Sequence, residues 1–420
     1  MIDLSNKVAC VIDFGNYIKV AQRLSKDFSK VYYFAPFVIN GFPEHNPVDI
    51  GRGVSEIIKI TDWEDYFEEI DIFVFPDLYY SGLQELLRRM GKLVYGSGKG
   101  GQMETDRGGM KRLQKEIGLP INEYEEVDGV YELEERLKFL EDKYIKSSLR
   151  GEGETFHHQN YTLSKEELKG MKQRMGIFDK KEKYIIESPI KSIAEVGIDT
   201  MVCDGEYLEE SFSGIEVKDV GFVGKMMRYK ELPKQLKLVT DKLAPVFQTY
   251  GYRGPYSNEV RIGEDKLGYL IDQTCRHPSP PTSSILCLYE NFSEVVWSIA
   301  SGIVPKVKYK YQWGVQFIMT SELAKTDPVA IQFPMEYKDQ IDIKNLVIDD
   351  DGTYFYTPNG TPMCEIGSVV GLGHTMDQAI KMATEIAETV KGFDLKINTE
   401  CIGDVKKQIA NLNKNGIHYL

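Results

Sequence analysis

Two acids thirteen residues apart constrain this chain more than any other feature. Glu259 and Asp272 each lie on a strand-like run, Ser257-Asn-Glu-Val-Arg-Ile262 and Leu267-Gly-Tyr-Leu-Ile-Asp272. Thr274 and Arg276 follow at two-residue steps. Upstream, Lys146 ends the short run Lys143-Tyr-Ile-Lys146, and Ser147-Ser-Leu-Arg-Gly-Glu-Gly-Glu154 follows with Gly151 and Gly153. Further upstream, Lys111 lies in Asp106-Arg-Gly-Gly-Met-Lys111, which opens a helix ending at Gly118-Leu-Pro120. Carboxylates on neighbouring strands are oxygen ligands for Mg²⁺, which in turn holds phosphate oxygens. Lysines and a glycine-rich backbone suit the other side of a triphosphate. The fold must therefore bring segments from about residue 110 to 276 together at one nucleotide site.

A chain of 420 residues is long enough for two to four domains, each with its own core. Its 42% apolar and 27% charged residues match a globular protein. The formal net charge of −13 argues against long nucleic acid or an anionic membrane as partner, because phosphate backbones need a cationic surface. The six cysteines, Cys10, Cys203, Cys275, Cys287, Cys364 and Cys401, form no Cys-x-x-Cys pair. Scattered thiols suit a reducing compartment. The start, Met-Ile-Asp-Leu-Ser-Asn-Lys, lacks the apolar run of a signal peptide. No apolar stretch reaches the roughly 20 residues that span a bilayer. These features predict a soluble, cytoplasmic protein.

Along the chain, Lys7–Asp13, Val31–Ala35, Asp71–Phe75 and Lys92–Tyr95 read as buried strands separated by a helical stretch and turns, the pattern of an open parallel α/β layer. The turn Phe14-Gly-Asn-Tyr17 is not a dinucleotide fingerprint. Leu133, Leu137 and Leu140 share a helix face, and strands follow at Lys183–Glu187, Glu195–Cys203, 214–227 and 258–272. One amphipathic helix is expected over Ser284–Ser301. Beyond residue 306, strands at Tyr311–Met319, Val329–Phe333 and Met363–Val370 precede a helix capped by Thr375. The proline-rich segment Pro278–Ser284 follows the acidic strands directly and reads as a site loop.

With these residues in view, the chain resembles the ATP-grasp superfamily and, within it, the phosphoribosylamine–glycine ligases (glycinamide ribonucleotide synthetases). Val94-Tyr-Gly-Ser-Gly-Lys-Gly-Gly-Gln-Met-Glu-Thr-Asp-Arg-Gly-Gly-Met-Lys111 is similar to the segment that joins that family's first domain to its core, with Lys111 seven residues before Gly118-Leu-Pro120. Asp272-Gln-Thr-Cys-Arg276 resembles the family's Glu-x-Asn-x-Arg, and Glu187-Ser-Pro-Ile190 with Glu195 resembles its adenine hinge and ribose acid. Val370-Gly-Leu-Gly-His-Thr-Met-Asp-Gln-Ala379 is similar to its last domain.

The resemblance implies an α/β chain of ATP-grasp fold. Residues 1–120 would form an open parallel pre-ATP-grasp domain, 121–305 the core with a lid at about 121–190, and 306–420 a small α+β domain. It implies an ATP-dependent carboxylate–amine ligase, working through an acyl phosphate on small-molecule acid and amine substrates. Glu259, Asp272 and Thr274 would hold Mg²⁺, with Mn²⁺ as a substitute. Lys111, Lys146, Gly151, Gly153, Glu187, Ile190 and Glu195 would hold ATP, and Arg276 and Arg253 would face the transferring phosphoryl group. The apolar content of the C-terminal segment admits a homodimer.

The chain also departs from the family pattern. Thr274 stands in place of an amide side chain, and Asp272 in place of a glutamate. Ser257 replaces an arginine, and His277-Pro-Ser-Pro-Pro281 replaces the family's Gly-Asp-Pro-Glu. The expectation is a retained nucleotide half and a rebuilt acceptor half. An amino acid joined to a modified nucleotide or nucleobase is one alternative, and a non-catalytic nucleotide-binding subunit is another. His277 reads as positioned by its turn rather than catalytic. His157 and His158 point apart on a strand, which disfavours a metal pair.

Overall fold

In the computed structural model, residues 2–35, 49–147, 155–176, 180–218, 220–359, 363–400 and 402–420 are described. The first sheet contains β1 (Val8–Ile12), β2 (Lys30–Phe34), β3 (Ile58–Ile60), β4 (Ile72–Val74) and β5 (Leu93–Tyr95), all parallel, in the order β3-β2-β1-β4-β5. β1 is buried on both faces, and its unbroken apolar run Val-Ala-Cys-Val-Ile is what a covered parallel strand requires.

Next comes a four-stranded antiparallel sheet of β6 (Tyr124–Asp128), β7 (Lys143–Ser147), β8 (Thr155–His158) and β9 (Lys183–Glu187), ordered β6-β9-β7-β8. It packs against helices Val130–Leu137 and Tyr161–Met175 around its own core of Leu133, Leu137, Ile145, Leu168, Tyr184 and Ile186. A separate core lets this unit act as one body.

The main sheet has β10 (Ser192–Cys203), β11 (Glu206–Tyr207), β12 (Glu210–Val217), β13 (Gly221–Arg228), β14 (Arg253–Gly263), β15 (Gly268–Thr274) and β16 (Trp313–Thr320). In the C-terminal segment follow β17 (Val329–Gln332), β18 (Ile341–Ile343), β19 (Leu346–Ile348), β20 (Tyr354–Tyr356), β21 (Glu365–Gly373), β22 (Lys391–Gly392) and β23 (Lys396–Ile397). The main path runs β15-β14-β10-β12-β13-β16-β21-β18, so β16, β21 and β18 extend the middle sheet beyond residue 306. β19, β20, β17 and β22 form a smaller sheet beside it. Thr375 caps the helix Met376–Thr389 through its side chain, as its position before an apolar stripe predicts.

The expected single helix over Ser284–Ser301 is instead two, Thr282–Leu288 and Phe292–Ala300. Tyr289 between them adopts extended backbone and bridges to Tyr309. Asn291 donates to the Lys306 carbonyl at 3.0 Å and accepts from the Lys308 N–H at 2.8 Å. These tertiary hydrogen bonds displace the helical ones that a continuous apolar stripe would otherwise support. Ile285, Leu288, Phe292, Val296 and Ile299 are all buried, so the stripe identified the core despite the break.

The chain's end closes a seam in the main sheet. β10 and β12 are registered at Asp199 and Phe212 and splay beyond that pair. The Tyr419 hydroxyl fills the gap, donating to the carbonyls of Gly197 at 2.6 Å and Gly214 at 2.9 Å and accepting from the Gly197 N–H at 3.1 Å. No helix among the described residues is long and apolar enough to cross a membrane. Removing the Tyr419 hydroxyl would leave buried peptide groups unsatisfied, so Tyr419→Phe should destabilise the protein by about 1–3 kcal/mol. Urea unfolding of the two proteins would measure this.

Candidate active site

A β-bulge builds the floor of the site. Glu259 on β14 is registered opposite Asp272 on β15, but the next pair along is Val260 with Leu270, so Ile271 is the extra residue. Side chains on a strand alternate between faces. Without the bulge, Asp272 would follow Leu270 onto the apolar face, where Leu270 and Val260 are buried. The bulge turns Asp272 onto the face of Glu259, a re-aiming that bulges beside active sites commonly supply. It also leaves the Ile271 carbonyl to accept from Lys146 Nζ at 2.5 Å. Thr274 lies opposite Ser257 in the next row. On β10, Glu195, Gly197 and Asp199 lie opposite Arg261, Glu259 and Ser257 and complete the floor.

The opposite wall is cationic. Lys111, on the helix Arg107–Glu116, is buried and ion-paired to Glu187 Oε1 at 2.8 Å. Lys146 reaches the other oxygen, Oε2, at 3.8 Å. Burial alone would raise the Glu187 carboxyl, but the charges of Lys146 and Lys111 outweigh it and hold the group below its usual range. The sequence assigned Glu187 to a backbone hinge. In the structure its side chain is the common counter-charge of the two lysines, while Ser188, Pro189 and Ile190 line the cavity after it.

Between floor and wall is a cavity of about 730 Å³, in the range of small-ligand sites. A second cavity of about 340 Å³ shares Glu195, Glu216, Glu259, Asp272, Thr274 and Arg276 with the first and extends to Pro278, Ser279 and Pro280. Of the expected residues, Lys146, Glu187, Ile190, Glu195, Glu259, Asp272, Thr274 and Arg276 line the larger cavity. Lys111 lines a small recess that also contains Lys146, Glu187 and Asp272. Gly151 and Gly153 lie outside the described residues. Arg253 is apart: it lines neither cavity, and six residues of strand, about 20 Å, separate it from Glu259. Its guanidinium is held by Asp204, with Nη2 to Oδ2 at 2.7 Å, and by the Ala300 carbonyl at 3.2 Å. The expectation that Arg253 faces a phosphoryl group does not fit this placement; it braces the start of β14.

Several lining residues escaped the sequence reading. Arg107 pairs with Asp272 Oδ1 at 3.2 Å and donates to the Ser147 carbonyl at 2.9 Å, tying β7 to β15. Arg261 donates to Glu195 at 2.9 Å. Period-two spacing from Glu259 and Glu195 would have placed Arg261 and Asp199 on this face. Arg107 and Glu216 carried no such signal. His277 is buried with its imidazole pushed down to about 3 by burial, and its backbone is held by the Pro76 carbonyl and the Tyr17 hydroxyl. His157 pairs with Asp142 at 2.7 Å, whereas His158 is buried against Ser164, so the adjacent rings do point apart.

The proteins that this chain resembles in three dimensions agree with that arrangement of sheets. Phosphoribosylamine–glycine ligase from Thermotoga maritima superposes with a TM-score of 0.70 at 18% identity, over 93% of this chain and 98% of that one. N5-carboxyaminoimidazole ribonucleotide synthetase from the same organism gives 0.58 at 13% identity, over 92% and 99%. The biotin carboxylase domain of 2-oxoglutarate carboxylase from Hydrogenobacter thermophilus, a dimer solved with MgADP, ADP and bicarbonate, gives 0.65 at 13% identity, over 97% and 98%. The chain has the ATP-grasp fold. No protein-family model matches the sequence, and no curated protein matches it either. The ATP-grasp architecture therefore persists here at an identity where residue-by-residue comparison finds little.

The electrostatics of the ATP-grasp floor are unbalanced. Burial, then the charges of Asp272, Glu195 and Glu216, push the Glu259 carboxyl up to about 8. Asp272 is held below its usual range because Arg107 and Lys146 outweigh its burial. Burial and Glu259 bring Asp199 up to about 7 despite its hydrogen bond to Ser257. The Glu259 value, about 8 when folded against about 4.3 in an unfolded chain, fixes a sign. The folded state binds the extra proton between these values, so metal-free stability falls as pH rises through that window and levels off above it. Glu259→Gln removes this penalty. In the absence of divalent metal it should be more stable than the parent at pH 8 by at least ~1 kcal/mol, with the gain shrinking toward pH 5. Denaturant unfolding at both pH values would measure the difference.

Proposed function

We propose that the protein is an ATP- and Mg²⁺-dependent carboxylate–amine ligase that acts on small molecules through an acyl phosphate. One observation carries this reading: an acid pair, Glu259 opposite Asp272, lines one cavity with Lys146, Glu187 and Arg276, and Lys111 lines a recess that shares Lys146, Glu187 and Asp272. The acid pair suits a hard divalent cation, because burial and the neighbouring acids Asp272, Glu195 and Glu216 outweigh Lys146 at Glu259, which forms no ion pair among the described residues. Among the described residues no group of three or more His, Cys, Asp or Glu is arranged to hold a metal alone. Mg²⁺ on Glu259 and Asp272, with Thr274 nearby, would therefore complete its shell with phosphate oxygens and water, as it commonly does. Bound there, it would neutralise charge on the β- and γ-phosphates, and Mn²⁺ would fit the same oxygen donors.

The chain's own residues supply alignment and charge. Lys111 and Lys146 would neutralise phosphate from the wall, and Ile190 would border the adenine with Glu195 toward the ribose. Arg276 would meet the transferring phosphoryl group at the boundary of the two cavities. The carboxylate attacks the γ-phosphorus and ADP leaves. The amine then attacks the acyl carbon, the C–O bond to phosphate breaks, and inorganic phosphate departs with the proton given up by nitrogen. Exclusion of water protects the acyl phosphate, which gives the separately cored β6–β9 unit its role as lid.

The acceptor end supports a substrate other than phosphoribosylamine. Among the described residues the smaller cavity has Glu195, Asp199, Glu216, Glu259 and Asp272 against one cation, Arg276, and Arg276 is already paired with Glu104 at 3.1 Å. A phosphorylated acceptor needs more positive charge than this. An amine without a phosphate of its own fits better than a ribonucleotide precursor, and a nucleobase better than a nucleotide. A second reading, a nucleotide-binding subunit without catalysis, draws on Ser257 and Thr274, which place hydroxyls where the resembled family has an arginine and an amide. Five thiols unpaired among the described residues suit a cytoplasmic protein. A homodimer is testable by light scattering.

ADP and phosphate release from MgATP, assayed against a panel of carboxylic acids with and without amines, would test the ligase. Release should require one acid and one amine, and an unphosphorylated amine should exceed phosphoribosylamine by at least tenfold. Glu259→Ala with Asp272→Ala should lower kcat by about 100-fold or more, the scale of lost transition-state charge stabilisation. ATP binding without release for any pair would favour the non-catalytic reading.

A further inference from the structure

Glu104 belongs to none of the expected site residues, yet it is one of the most enclosed acids beside the cavity, with 8% of its side chain exposed. It lies on the short helix Gln102–Thr105, in the segment that leads from the first sheet into the lysine helix. Its Oε2 accepts the Cys275 N–H at 2.6 Å, and its Oε1 accepts from Arg276 Nε at 3.1 Å. The residues around it grip the same turn. The Met103 carbonyl accepts from Gln273 Nε2 at 2.6 Å, and Arg107 pairs with Asp272 at 3.2 Å. One stretch of five residues thus holds Asp272, Gln273, Cys275 and Arg276.

Arg276 is pinned on its other side by the first domain. Its Nη1 donates to the Tyr17 hydroxyl at 3.1 Å and to the His277 carbonyl at 3.3 Å. Among the described residues, Nη2 makes no hydrogen bond, while Arg276 lines both cavities. A guanidinium is a rigid plane, so anchoring Nε and Nη1 fixes where Nη2 points. Enclosing a carboxylate costs desolvation that a well-packed apolar residue would avoid. What Glu104 provides in return is orientation, because its two oxygens bind a backbone N–H and the adjacent guanidinium together.

We propose that Glu104 is a positioning residue for phosphoryl transfer, holding Arg276 so that its Nη2 edge meets the transferring group. This rests on the ligase reading above. Both Glu104 oxygens are engaged by the turn that carries Arg276, the Cys275 N–H and the Arg276 guanidinium, so its contribution belongs in the chemical step more than in nucleotide binding. The first domain then does more than flank the core: through Tyr17 and the 103–107 stretch it sets the geometry of the arginine.

The test is steady-state ADP release from MgATP, with the acid and amine that the panel identifies, for Glu104→Gln, Glu104→Asp, Arg276→Lys and the double variant Glu104→Gln/Arg276→Lys. Glu104→Gln should lower kcat ten- to a hundredfold and leave KM for ATP within twofold, with one MgATP bound per chain. Glu104→Asp, which keeps the charge, should fall between it and the parent. The double variant should be no slower than Arg276→Lys alone, since a positioning residue has nothing left to position. Parental kcat in Glu104→Gln, a loss confined to KM, or single-variant losses that multiply in the double would each overturn the proposal. Should Glu104→Gln fail to fold, Glu104→Asp decides: parental kcat there overturns it. A parent chain that binds MgATP and never releases ADP would instead overturn the ligase reading and the role of Glu104 with it.

Discussion

Two like charges are held opposite each other on neighbouring strands, and much of the surrounding structure answers that constraint. Directly opposed acids on a sheet repel, and that cost grows as burial removes water. Here Glu259 and Asp272 share a row, and the protein resolves the conflict unequally. Arg107 and Lys146 serve Asp272, which stays ionised, while Glu259 is left to hold a proton well above the usual carboxylate range. The remaining imbalance is what the proposed Mg²⁺ would relieve. An apolar pair would pack at less electrostatic cost, so this is stability given up at the row where the proposed function places its ligand.

The other elements meet at this pair. Strand β7 reaches it through Lys146 on the bulged Ile271 carbonyl, and the helix Arg107–Glu116 through Arg107. The first domain reaches it through Tyr17 and Glu104 on Arg276. The chain's last residues reach the strand behind it, where Tyr419 bonds both peptide groups of Gly197, the residue opposite Glu259. Four segments distant in sequence therefore depend on one row of a hairpin.

Legibility in the sequence varied with the range of the interaction. Local patterns were reliable: the parallel strands from unbroken apolar runs, the Thr375 cap, and the buried face of 285–299. Spacing in a recognisable order pointed to the fold, which the superpositions share across more than nine-tenths of the chain. Readings that needed a partner across space were weaker. Arg253 was expected to face the transferring phosphoryl group, but Asp204 at 2.7 Å occupies its guanidinium. The helix over 284–301 looked continuous because periodicity cannot see Asn291 bonding to the chain near residue 307. The side-chain role of Glu187 was not legible, since no local pattern states that two lysines converge on its carboxylate.

What the sequence determined by itself is the set of ingredients: two strand-borne acids, two lysines, an arginine, and the apolar periodicities that make α/β layers around them. Periodicity and residue chemistry are local properties, so one chain suffices to read them. Tertiary structure decided which face each ingredient occupies and which charges remain unspent. Strand parity would have sent Asp272 into the core beside Leu270, and only the bulge at Ile271, formed when β15 pairs with β14, brings it round to Glu259. Register between strands is a property of the pair and not of either strand. That is why the same residues state the chemistry in sequence and become a site only in the fold.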